Sequence, residues 1–199
     1  MKRKRPVTSL MFAGITALMG CTETTAPAVS QQTPTSGATV APSPVPVAHG
    51  AVSIASALPD AEYVIETTSN GKAPLKDGLY EEAIQDSSSK NIVQLGPEAA
   101  YGDLDGNRVE DAAVTLLTSS GGSGGFTYVA AVLNQNGTAT PVDSVFIGDR
   151  ITMKSLQIAD GKIKVAWLDR KTGEPMSTDP SAEVTKSFML QDGKMTASD

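Results

Sequence analysis

The chain has 199 residues, with 22 Asp plus Glu against 16 Lys plus Arg, for a net charge of −6 at neutral pH. That balance argues against nucleic acid and anionic lipid headgroups as partners. The single cysteine rules out an intrachain disulfide. The single histidine, His49, lies outside the region that reads as folded, so the domain has no imidazole for a Ser-His-Asp relay or for catalytic zinc.

Residues 1–20 read as a secretory leader. Lys2, Arg3, Lys4 and Arg5 form a basic start, and Val7 to Met19 is an apolar run of 13 residues. That run fits a signal peptide and is too short to span a bilayer. It ends in Leu18-Met19-Gly20-Cys21, which resembles the lipobox of bacterial lipoproteins, with Met19 an unusual choice at the second position. The resemblance implies cleavage before Cys21, a thioether-linked diacylglycerol on its sulfur and acylation of the new N-terminus. Two or more acyl chains anchor a protein stably to a membrane. Thr22 follows the cysteine in place of the Asp that favours inner-membrane retention in enteric lipoproteins. The implied location is the outer membrane, facing the periplasm. Losing the four basic residues of the leader takes the net charge to −10.

Residues 21–57 are rich in Thr, Pro, Ser and Ala, hold almost no charge and lack aromatic residues. Such composition cannot bury enough surface to offset its ordering entropy, and "APSPVPV" favours extended polyproline II backbone. The segment reads as a disordered tether that lets the domain stand off the membrane.

Residues 58–199 read as one domain. Asn70-Gly71, Asp77-Gly78, Asn136-Gly137, Asp160-Gly161 and Asp192-Gly193 are hairpin dipeptides, because Asn, Asp and Gly tolerate positive φ. "LYEEAIQDSSSK" is either one short helical turn or a strand end. "DAAVTLLT" and "DSVFIG" read as strands, and "FTYVAAVL" is apolar on both faces, as a central strand is. "ITMKSLQIADGKIKVAWL" predicts a hairpin through Asp160-Gly161 with Ile163, Val165 and Trp167 inward. "EVTKSFML" places Val184, Phe188 and Leu190 on one face. Many short, evenly spaced strands predict an all-β domain with minor α content, an antiparallel sandwich or barrel-like meander.

The order of these pieces resembles a family of bacterial secreted and lipoprotein domains. The stretches that carry the resemblance are "EYVI" with "PLKDGLYEE", "YGDLDGNRVEDAAVTLL", "GGSGGFTYVAAVLN", "GDRI" and "DRKTGEPMSTDPS". One departure is Asn107-Arg108, where the family tends to carry Asp-Gly. The resemblance implies an envelope domain and no particular activity.

Three stretches are candidates for chemistry. In "YGDLDGNRVEDAAV", Asp103, Asp105, Asn107, the carbonyl of Val109 and Asp111 occupy alternating positions that can wrap a calcium ion. Arg108 stands where such loops want glycine, and Val114 stands where a bidentate Glu closes them. These departures weigh toward a solvated Asx-type turn, with Arg108 paired to Glu110 or a neighbour. "SSGGSGGF" lacks the features of a phosphate loop and reads as a hairpin loop. A third stretch, "DRKTGEPMSTDPS", is a candidate binding loop for an envelope protein or glycan. Within it Asp169, Arg170, Glu174 and Asp179 are the charged candidates, and Asp169 and Arg170 are expected to pair with Asp149 and Arg150 of "GDR".

The chain therefore reads as a non-catalytic, membrane-anchored binding module with calcium as its candidate cofactor. The alternative is a carboxylate-dependent hydrolase of envelope glycans, drawing on Asp103, Asp111, Asp149, Asp169, Glu174 and Asp179.

Overall fold

The computed structural model describes residues 53–198. The leader, Cys21 and the tether up to residue 52 lie outside the described residues. Structure precedes residue 58: Ile54 is buried, and a 3-10 helix runs over Ala55–Asp60.

Eleven strands follow among the described residues, and every named pairing is antiparallel. β1 (Glu62–Val64) and β2 (Lys72–Pro74) form a small hairpin. β3 (Leu79–Ala83), β4 (Lys90–Gly102), β5 (Asp111–Ser119), β6 (Phe126–Gln135) and β7 (Thr138–Asp149) form a five-stranded meander in chain order. β8 (Thr152–Ala159), β9 (Lys162–Asp169), β10 (Ala182–Gln191) and β11 (Lys194–Ser198) form a four-stranded meander. The expected all-β antiparallel fold is what the chain adopts.

The five-stranded sheet is the middle of three layers, so its central strands are apolar on both faces. On one face Ala112, Val114 and Leu116 of β5 and Tyr128, Ala130 and Val132 of β6 pack against Ile54, Leu58, Tyr63, Ile65 and Leu75. On the other face Ala113, Val129 and Ala131 meet Ile163, Val165, Trp167 and Phe188 of the four-stranded sheet. Small residues sit opposite one another at the centre, as in Ala113↔Ala131, which lets the four-stranded sheet approach closely. This is why "FTYVAAVL" shows no alternation while β9 alternates cleanly, with one face in the core and one toward solvent.

Bulges keep the faces in register. The pairing of β8 with β9 shifts between Met153 and Ser155, so Met153, Leu156 and Ile158 all reach the same core despite their mixed parity. The "LYEEAI" segment resolves as β3, an edge strand, rather than a helical turn.

Four of the five hairpin dipeptides take positive φ at both residues, while at Asn70-Gly71 only Gly71 does. Asn136-Gly137, Asp160-Gly161 and Asp192-Gly193 take positive φ at both residues and join β6–β7, β8–β9 and β10–β11.

Candidate functional site

The loop between β4 and β5 leaves one sheet strand and re-enters the next within eight residues, Asp103 to Glu110. Leu104 anchors it by inserting into the core between the sheets. The polar residues around it then turn the other way. Oxygens of Asp103, Asp105 and Asp111 lie within 4.8 Å of one another.

Local hydrogen bonds shape the loop. Gly106 N and Arg108 N donate to the two oxygens of Asp103 at 2.7 and 2.8 Å. Asn107 N donates to Asp105 Oδ1 at 3.0 Å, and Val109 N donates to Asn107 Oδ1 at 2.6 Å. These are Asx turns in succession, each side chain mimicking a backbone acceptor. Arg108 adopts φ +66 and Gly106 φ +83. The expectation that position 108 calls for left-handed backbone holds, and a non-Gly residue there costs on the order of 1 kcal/mol. Arg108 is exposed and makes no ion pair with Glu110 among the described residues.

Asp111 is different in kind. It opens β5 and is 0% exposed. Its Oδ2 accepts from Leu104 N and its Oδ1 from Asn134 N, both at 2.8 Å. Asn134 in turn donates from Nδ2 to Glu110 O and accepts from Gly137 N. One carboxylate therefore ties the loop, the start of β5 and the end of β6 together. Burial pushes the Asp111 carboxyl up from its ordinary value. The Asn134 and Leu104 amides oppose that rise, and the charges of Asp105 and Asp103 add to it. Asn134 was not legible as part of this site, because its role depends on β6 lying beside β5. The only sequence signal is an Asn at the strand end, two residues before Asn136-Gly137.

The acid cluster suits a hard divalent cation. Oxygens sharing one calcium at ~2.3–2.6 Å lie at most ~5 Å apart, and the three acids fall inside that reach. Each oxygen that accepts an N–H keeps a second lone pair for an ion. Asp103, Asp105 and Asp111 would hold the cation. Asn107 and Val109 lie in the same loop, with the Asn107 Oδ1 already engaged by Val109 N. Val114 lies in the core beneath, so no twelfth-position ligand exists.

The second group of charged candidates is spent on stapling loops. Arg170 Nη1 donates to the carbonyls of Asp149 and Arg150 at 3.2 Å each, so the expected link between the two loops exists but runs through carbonyls rather than a carboxylate. Asp149 Oδ1 accepts from Gly125 N at 2.9 Å and pairs with Arg150 at 3.3 Å. Burial raises the Asp149 carboxyl, but the Gly125 amide and the Arg150 and Arg170 guanidinium groups outweigh it and hold it below the usual range. Asp169 Oδ1 accepts from Arg170 N, and Glu174 Oε2 from Lys171 N. Asp179 is exposed on the same connection.

Of the six acids weighed for hydrolysis, Asp103 and Asp111 are brought together. Asp111 is sealed from solvent and Asp149 is held ionised, so neither is placed to protonate a leaving group. No family model, curated protein or solved structure matches the chain.

Proposed function

We propose that the protein is a lipid-anchored envelope module, non-catalytic, whose β domain is clamped by a divalent cation, calcium by chemistry, at Asp103, Asp105 and Asp111. The observation that carries the cation is the fully buried Asp111 facing two further carboxylates within 4.8 Å. Like charges packed this closely favour either a proton or a cation, and at neutral pH in a calcium-containing compartment the cation is the stronger partner. The anchor rests on the basic start, the apolar run and Cys21. The domain then works as a binding body for an envelope protein or glycan, presenting loops from a rigid scaffold.

Calcium titration of the full chain by calorimetry tests the clamp. Saturable binding that Asp105→Ala abolishes supports it, and the absence of heat at millimolar calcium sinks it. Metabolic palmitate labelling tests the anchor: label on the wild-type chain that disappears in Cys21→Ser is expected, and an unlabelled wild-type chain refutes it.

A further inference from the structure

A separate cavity of about 200 Å³ lies at the opposite end of β5 from the acid cluster. Its walls are Thr67 from the β1–β2 turn, Asn91 and Ile92 at the start of β4, Thr118 and Ser119 at the end of β5, Ser120, and Phe126 at the start of β6. Two of its hydroxyls, Thr67 Oγ1 and Thr118 Oγ1, are buried and have no partner among the described residues. Thr118 is only 5% exposed. Val is close to Thr in shape, so these two hydroxyls are polar groups that packing does not require and that are open to a ligand.

The lining selects a ligand class. No charged side chain faces the cavity, so a buried ion would go unpaired, which is costly. A purely apolar ligand would leave the two threonine hydroxyls unsatisfied. Three hydroxyls, those of Thr67, Thr118 and Ser120, and one carboxamide suit a ligand that both donates and accepts, and the Phe126 ring supplies an apolar wall. Asn91 gives its Nδ2 to Glu82 at 3.5 Å, and its Oδ1 has no donor among the described residues. Water takes ~30 Å³ each in the liquid, so the space equals about six or seven waters, room for one six-membered ring and its substituents. We infer that this cavity binds a single neutral sugar ring.

The Gly-rich connection builds the mouth. Gly121 lies so close to Ser89 that a Cβ would sit 2.5 Å from its side chain, and a Cβ on Gly124 would sit 2.7 Å from the Phe126 ring. Glycine at both positions lets the loop lie against β4's approach and against the aromatic wall, while exposed Ser120 marks the way in. The sugar cavity shares no residue with the acid cluster, so this inference stands or falls apart from the calcium clamp.

The test is titration of the full, nitrogen-15-labelled chain with glucose and N-acetylglucosamine, read by amide shifts. Glucuronate and glucosamine serve as charged controls. Saturable shifts at Thr118, Ser119 and Ser120 are expected from the neutral sugars, with dissociation constants on the order of millimolar, the range for so small a ligand. Thr118→Val and Thr67→Val should each weaken binding about tenfold, the worth of one hydrogen bond, with no fall in melting temperature. Thr118→Ser should retain it. The inference is overturned if neither sugar shifts these amides, if the charged analogues bind as well, or if both valine variants bind like the parent.

Discussion

Replacing Asp111 with alanine removes the acceptor of two buried amides at once. Leu104 N and Asn134 N both donate at 2.8 Å, and both residues are buried, so water cannot take over. Each orphaned donor costs about 1–3 kcal/mol, giving about 2–6 kcal/mol for the pair. Removing a carboxylate that burial and the neighbouring acids already strain returns part of this. A net loss of about 3 kcal/mol is expected, which for a domain of this size lowers Tm by about 10 °C. Asp111→Asn keeps one acceptor oxygen and should lose about half as much. Trp167 is the only tryptophan and is buried between the sheets, so urea unfolding followed by its fluorescence reads the core directly. The measurement belongs in EDTA, so that loss of a metal ligand is not mixed with loss of the clamp. A loss under about 1 kcal/mol for the alanine variant, or an asparagine variant more stable than the parent, would refute the reasoning.

Millimolar calcium should raise Tm by about 8 °C if the site is filled to about 100 times its dissociation constant, from ~2.7 kcal/mol of linkage. Asp105→Ala should abolish the shift while melting near the parent in EDTA, because exposed Asp105 bonds only Asn107 among the described residues. Asp111 and Asp149 should respond oppositely to acid. The Asp111 carboxyl is raised in the fold, so its contribution to stability declines as pH rises from the ordinary Asp range through the raised value. Melts in EDTA should therefore show the parent gaining on Asp111→Asn as pH falls. Asp149 is lowered, so its contribution is present above the ordinary range and lost as pH falls, and the gap between parent and Asp149→Asn should close. Arg170→Ala frees the carbonyls of Asp149 and Arg150 and should speed hydrogen exchange at Arg150 N, whose bond to Gly125 O spans 2.6 Å. Gly96→Ala drives a Cβ to 2.1 Å from Thr115 Oγ1 inside the sheet and should cost about 1–3 kcal/mol by urea unfolding, with no cost refuting the close approach.

Local chemistry was readable from the chain alone. Asn-Gly and Asp-Gly pairs tolerate positive φ at both residues, so the hairpins at Gly137, Gly161 and Gly193 could be placed without knowing the fold. Alternation in β9 and its loss in β6 identified a half-exposed strand and a central one, because side-chain period depends only on the strand itself. The alternating acids of the Asp103–Asp111 loop were equally plain, since their Asx turns span two to five residues.

Tertiary structure decided what depends on distant partners. β4 runs from Lys90 to Gly102 through Gly96-Pro97, residues that argue against a strand, because a bulge between Leu95 and Ala99 absorbs them and Thr115 packs onto the bare glycine. The small N-terminal hairpin became a layer only because Tyr63, Ile65 and Leu75 find the second face of the central sheet. Asp111 reads in sequence as one more surface acid. It is a sealed clamp because β6 brings Asn134 alongside, 23 residues away. Thr67 and Thr118 meet across one cavity for the same reason: burial and pairing are properties of the packed layers, and no local preference of a threonine encodes them.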